Sequence, residues 1–346
     1  MEYGIWLPIF GGWLRNVEDE QMPATFDYAK AVAQKADELG YGKILVAELY
    51  LNDIKGPNAD VLEAWTTAAG LAAVTSNIEI MAAVRPVYHN PAVIAKMAAN
   101  IDLISHGRFT LNIVSGWWEG EAKQYDGVFT SHDERYNRVE EFVQVLRGFW
   151  SEETFNYQGK YYNVENAKLS PKPQKWPTLY AGGESPKGKD TIAKNADAFV
   201  MHGGTVEEVA EKIKDMKERR IKLNQPALQS FGMAAYVICR DTQEEVEAEL
   251  ARITDVKSMD GYAGFKDFTS KSELEQKIAL QDYSVSNRGL RPNFIGTPEQ
   301  IADRILAYEA VGLDFLLLQS SPQLEEIERF AKQVKPLVEE KRKVFV

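Results

Sequence analysis

Apolar residues in this chain fall into two alternating patterns. Short runs with almost no polar break, such as Phe315-Leu316-Leu317-Leu318, occur at 3–8, 43–47, 78–84, 109–114, 178–181, 198–201, 230–239 and 315–319. Their length and β-branched content predict buried strands. Between them lie stretches with a helical period at 24–39, 60–75, 91–105, 134–150, 186–195, 206–223, 243–256, 297–311 and 322–340. In 134–150 the apolar stripe is Tyr136, Val139, Phe142, Val143, Leu146 and Trp150, and Asp133 is the expected cap. Buried strands alternating with covering helices imply a parallel sheet. About eight strand–helix units predict a closed (β/α)8 TIM barrel with insertions, which takes ~250 residues or more. An open doubly wound sheet would show Gly-x-Gly-x-x-Gly after its first strand. Here Ile9-Phe10-Gly11-Gly12-Trp13 follows instead.

Two segments leave the alternation. Residues 155–164 read as a hairpin around Gly159. Residues 258–293 lack periodicity, which suits either a lid over a binding site or a plain insertion. No repeat, low-complexity tract or linker is visible, so the expectation is one barrel domain over 1–346 with a lid insertion at 258–293.

Charge and cysteine content narrow the function. A net charge of −11 argues against nucleic acid and membrane surfaces as partners. The single cysteine, Cys239, allows no intrachain disulfide. The start, Met1-Glu2-Tyr3-Gly4-Ile5-Trp6-Leu7-Pro8, has no basic leader. No run approaches the ~20 apolar residues of a membrane span. A cytoplasmic protein is expected.

The strand predicted at 109–114 ends in Ser115-Gly116-Trp117-Trp118. Glycine there lets the backbone turn and a ligand approach, and the tryptophans offer flat apolar walls. In a barrel, the C-terminal strand ends form the active face. Trp6, Trp13, Arg85, Tyr88 and Tyr236 fall at other predicted strand ends. Together they suggest an apolar pocket for a planar cofactor that carries the difficult chemistry. Tyr180-Ala181-Gly182-Gly183-Glu184-Ser185-Pro186 joins a strand to a helix, with Ser185 at the N-cap. It reads as a phosphate seat or as an ordinary capped loop. Tyr136 is either core or a hydroxyl aimed at a ligand. His89 and His202 follow predicted strands, which singles them out among the four histidines. No spacing suits a metal, and no Gly-x-Ser-x-Gly elbow is present.

Several motifs in fixed order resemble the bacterial luciferase-like flavin monooxygenases. They are Leu111-Asn-Ile-Val-Ser-Gly-Trp-Trp, His132-Asp-Glu-Arg-Tyr, Ala181-Gly-Gly-Glu-Ser and Ile295-Gly-Thr-Pro-Glu-Gln-Ile-Ala-Asp-Arg-Ile. The likeness spans nearly the whole chain and is nearest to the members that oxygenate organosulfur compounds. It implies the same barrel and a reduced FMN supplied by a separate NAD(P)H-dependent flavin reductase. It further implies O2 as co-substrate, a homo-oligomer (dimer or tetramer), and oxygenation with cleavage of a small organosulfur molecule such as a sulfone. An alkanesulfonate, a pyrimidine-type heterocycle, or flavin binding without catalysis are the alternatives. By the same resemblance Ala83, Asn112, Ser115, Gly116 and Trp117 line the flavin. Tyr136, Gly183, Glu184 and Ser185 hold its phosphate, and Asn112, Tyr236, Arg291 and His89 are the catalytic candidates. Ala234 and Tyr236 replace the Arg-x-His pair of sulfonate enzymes, whereas Arg291 matches the sulfone enzymes. By the resemblance, the sulfone and pyrimidine enzymes tend to carry a basic residue just after the second strand, where this chain has Glu48-Leu49-Tyr50.

Overall fold

Eight parallel strands close on one another in a computed structural model that describes residues 1–256, 262, 283–287 and 289–344. They are β1 (Glu2–Trp6), β2 (Lys43–Val46), β3 (Glu79–Val84), β4 (Phe109–Ile113), β7 (Leu179–Ala181), β8 (Ala198–Met201), β9 (Phe231–Cys239) and β12 (Phe315–Gln319). β8 pairs with β9, β9 with β12 and β12 with β1, which completes the ring. The expected (β/α)8 TIM barrel is the observed fold. All five residues of β4 and all nine of β9 are buried, as strands covered on both faces must be.

The helices α1 (Phe26–Glu38), α2 (Ala64–Val74), α3 (Pro91–Ser105), α5 (His132–Ser151), α6 (Pro186–Asn195), α7 (Val206–Lys222), α8 (Gln243–Thr254) and α9 (Pro298–Ala310) accompany the strands. Their starts follow local chemistry. Glu63, placed inside a helix by the periodicity, is the N-cap of α2 and accepts from the N–H groups of Trp65 and Thr66. Helix α5 begins at His132 with Ser131 at the N-cap position, so Asp133 is not its cap. The helix predicted at 322–340 is three pieces: α10 (Gln323–Arg329), a π-helical turn (Phe330–Val334) and α11 (Lys335–Val344).

The hairpin is present as β5 (Phe155–Gln158) and β6 (Asn163–Ala167). Among the described residues, four short elements escaped the periodicity. α4 (Glu119–Gln124) and β10 (Ser284–Asn287) lie in loops, and β11 (Phe294–Gly296) extends the sheet beside β9. The π turn is the fourth. Most of the segment expected to be a lid, 258–293, lies outside the described residues.

The floor of the barrel is closed by a buried charge cluster. Lys43 Nζ meets Glu2 at 2.8 Å and Glu79 at 3.7 Å, donates to the Tyr180 hydroxyl at 3.2 Å, and sits 4.6 Å over the Phe315 ring. Gly232 is required beside that ring, because a Cβ there would collide with Phe315. Among the described residues no helix is long and apolar enough to cross a membrane.

Candidate active site

The C-terminal mouth holds a cleft of about 650 Å³, mouth included. Its walls are Trp6, Phe10, Trp13, Leu45, Ala47, Leu49, Ile54, Ala83, Val114 and Trp117, with Glu48, Asp53, Arg85, Asn112 and Gln319 as polar members. Each strand contributes by alternation: Asn112 and Val114 of the β4 segment face this cleft, while Ile113 and Ser115 face a second space of about 330 Å³ under α5 and α6.

The aromatic wall is held in place rather than merely present. Trp13 Nε1 donates to Gln323 Oε1 at 2.6 Å, and the same Gln323 donates to the Trp6 carbonyl at 2.8 Å. The Trp6 and Trp13 rings meet edge-on at 6.2 Å. Glu20 accepts from the Trp13 and Leu14 N–H groups and pairs with Lys55 at 2.8 Å, which fixes the loop after β1. Trp117 stacks on Trp118 at 5.6 Å. The turn before it needs Gly116 at φ +88°, and Arg135 Nε donates to the Gly116 carbonyl at 3.1 Å.

Asn112 is buried, and its Oδ1 has no hydrogen-bond partner. An amide oxygen stripped of water and left unpaired costs ~1–3 kcal/mol, so it marks a place where a donor belongs. Ala83 lies on the same wall, and its carbonyl accepts from Trp65 Nε1 at 3.0 Å.

Beside the cleft is a buried ionic cluster that the sequence only hinted at. Arg85 reaches Glu121 with Nη1 and Glu48 at 3.5 Å with Nε, and its plane lies 4.6 Å over the Tyr88 ring. Burial lowers the guanidinium pKa, but Glu121 and Glu48 outweigh it and the net direction is upward. His89 Nε2 contacts Glu48 Oε1. Asp53 pairs with Arg15 at 3.6 Å; burial still pushes its carboxyl above the ordinary value. Glu121 sits in the short helix α4, whose composition, Glu-Gly-Glu-Ala-Lys-Gln, looks like solvent-facing loop. Its burial could not be read from sequence. Glu48, Asp53 and Gln319 were also missed as wall residues, though Glu48 and Gln319 lie at or just past predicted strand ends.

The strand-to-helix loop after β7 opens α6 with its backbone N–H groups, where an anion can be held. Ser185 caps α6, its Oγ accepting from the Gly188 N–H at 3.1 Å, with Pro186 next. The hydroxyl proton of Ser185 remains available to donate. The Tyr136 hydroxyl lies over the loop so closely that a Cβ at Gly183 or Gly188 would fall 2.6 or 2.7 Å from it. Glu184 is buried and paired with Lys212 at 2.8 Å, and it also accepts from the His202 N–H at 2.8 Å. Its charge is therefore cancelled beside the helix terminus.

The structure thus brings Ala83, Asn112 and Trp117 to the cleft, with Gly116 in the turn before Trp117. Ser115 and Tyr136 line the neighbouring space, and Gly183, Glu184 and Ser185 open α6. His89 joins through Glu48. Neither Tyr236 nor Arg291 lines the cleft. Tyr236 is fully enclosed on β9, and burial raises its phenol well above the ordinary value. Arg291 donates through Nε to Glu208 at 2.8 Å at the start of α7.

A flavin mononucleotide fits this donor and acceptor set. The flat aromatic walls suit its ring, the unpaired Asn112 oxygen suits a ring N–H, and the α6 terminus with two hydroxyls suits its phosphate.

Comparison with known proteins agrees with that geometry. The family model "Luciferase-like monooxygenase" matches residues 1–314. An FMNH2-dependent dimethylsulfone monooxygenase of Pseudomonas fluorescens (strain Pf0-1) is 33% identical, covering 98% of this chain and 95% of that protein. The protein of the same name from Pseudomonas putida is 32% identical, over 98% of this chain and 96% of its own length. A solved long-chain alkane monooxygenase superposes with a TM-score of 0.83 at 19% identity, covering 99% of this chain and 91% of its own.

Proposed function

The chain belongs to the luciferase-like monooxygenase family, and on that footing we propose that it is a reduced-FMN-dependent monooxygenase of a small sulfone. In this reading a separate NAD(P)H-dependent flavin reductase supplies the reduced FMN, and O2 is the oxidant. The observation that carries it is the buried, unpaired Oδ1 of Asn112 at the base of an aromatic cleft. The substrate class follows from the names of the two relatives, each alike over nearly the full chain.

The bound flavin supplies the electrons and the activation of O2. The chain supplies binding, orientation and dryness. Asn112 accepts a ring N–H, which sets how deeply the ring sits. Trp6, Trp13 and Trp117 exclude water and keep the local dielectric low, so each polar contact inside counts for more. The Tyr136 and Ser185 hydroxyls and the positive end of α6 hold the phosphate, and Lys212 removes the repulsion that a bare Glu184 would exert.

The test is turnover with FMN, NADH and a flavin reductase over a panel of dimethylsulfone, methanesulfonate and uracil. Dimethylsulfone plus O2 and FMNH2 should yield methanesulfinic acid, formaldehyde, FMN and water. Oxygenation of methanesulfonate or uracil with none of the sulfone would replace the sulfone reading by one of the alternatives.

A further inference from the structure

Arg85 is the cation on the cleft wall, only 2% exposed. Nη1 is taken by Glu121, Nε faces Glu48, and the guanidinium carbon lies 4.6 Å over the Tyr88 ring. Nη2 is buried and makes no hydrogen bond. A buried N–H without an acceptor is costly, and an occupant with an oxygen recovers that cost. Stacking uses the faces of the guanidinium and leaves its edge donors free for in-plane contacts.

The electrostatics decide which oxygen. The Glu48 and Glu121 side chains have no solvent exposure, and both lean on Arg85. Other groups around this cluster are His89 and Tyr50 against Glu48, and Tyr88 against Glu121. Asp53, also on the wall, is matched by Arg15. The positive charge of Arg85 is already spent on two carboxylates. A bound anion would bring a third negative charge into the same low-dielectric region, where like charges repel strongly.

We propose that Arg85 determines specificity, donating through Nη2 to an uncharged oxygen acceptor such as a sulfonyl or carbonyl group. Glu121 and Glu48 then make the cleft reject anionic substrates. This rests on the oxygenase reading and names its substrate class: small neutral molecules with an oxygen acceptor, not sulfonates or carboxylates.

The test is binding to the FMN-loaded protein, read by quenching of the cleft tryptophans and by calorimetry. Two matched pairs serve as probes: dimethylsulfone with methanesulfonate, and acetone with acetate. The wild type should bind each neutral member at least tenfold more tightly than its anion. Glu121→Gln keeps the acceptor oxygen and removes one charge, so the neutral-to-anion ratio should fall about tenfold. The double variant Arg85→Met with Glu121→Gln avoids stranding Glu121 as a buried charge. It should lose affinity for the neutral probes about tenfold without gaining affinity for anions, while FMN affinity stays the same. Equal binding of both members by the wild type, or an unchanged ratio in Glu121→Gln, would overturn the proposal. Failure to oxygenate any sulfur compound would remove the sulfone reading alone, because the binding ratio is measured without turnover.

Discussion

Replacing Asn112 by Leu gives a signature with two linked magnitudes. In the flavin-free protein the Asn112 oxygen is buried and unpaired, which costs ~1–3 kcal/mol. Leu has nearly the same size and no such oxygen, so the flavin-free variant should be more stable than wild type by about that amount. At ~1 kcal/mol the rise in Tm is about 2 °C for a chain of this size. When flavin binds the wild type, the oxygen gains its donor and the cost is recovered. The variant has nothing to recover, so its FMN affinity should fall by the same ~1–3 kcal/mol, roughly 5- to 150-fold. Stability of the flavin-saturated proteins should then be nearly equal. Urea unfolding of the flavin-free forms and fluorescence titration with FMN measure the two sides separately. In turnover the variant should release more hydrogen peroxide per flavin oxidised. A flavin-free variant that is less stable, with FMN affinity unchanged, would show that Asn112 serves the barrel and not the cofactor.

Three further predictions address the surroundings. Ser185→Asp places a negative charge at the α6 terminus and should weaken FMN binding several-fold while leaving riboflavin binding nearly unaffected; equal losses for both ligands would remove the phosphate from this loop. Lys212→Met strands the buried Glu184 carboxylate and should destabilise the fold by ~3–5 kcal/mol, whereas Lys212→Met combined with Glu184→Gln should restore most of it. The Arg291 guanidinium holds the Glu208 carboxyl at about 2, below its ordinary 4.5. A carboxyl depressed on folding contributes stability above its unfolded value and loses it as pH falls toward the folded one. The Tm gap between wild type and Glu208→Gln should therefore be constant above pH 4.5 and close between 4.5 and 2. A gap that does not change with pH would mean that the ion pair contributes nothing.

The barrel was legible because a strand covered on both faces has no polar register to obscure it. Phe109–Ile113 and Phe315–Gln319 need no context to be read as buried strands. The capped start of α6 was legible as well, since Ser185, Pro186 and Gly188 act through backbone chemistry that is local in sequence. Elements of three residues, such as Phe294–Gly296, fall below the length at which a period can be recognised. The π turn at Phe330–Val334 keeps the apolar spacing of a helix and so hides inside it. The ionic cluster was opaque for a different reason. Glu48, Arg85 and Glu121 are far apart in sequence and become tolerable in the interior only together. Taken singly, Glu121 looks like a solvated surface carboxylate, and Arg291 looks as free to meet a substrate as Arg85. Only the fold shows that Arg291 meets Glu208 while Arg85 meets the cleft.

The central claim is that this cleft couples reduced FMN and O2 to oxygenation of a neutral sulfone. A single turnover tests it most directly: enzyme loaded anaerobically with reduced FMN is mixed with O2 and dimethylsulfone, and formaldehyde, methanesulfinate and peroxide are counted against flavin oxidised. The account predicts formaldehyde and sulfinate rising together, in step with flavin oxidation, with little peroxide. Flavin oxidation that yields only peroxide, with the sulfone recovered intact, would contradict it.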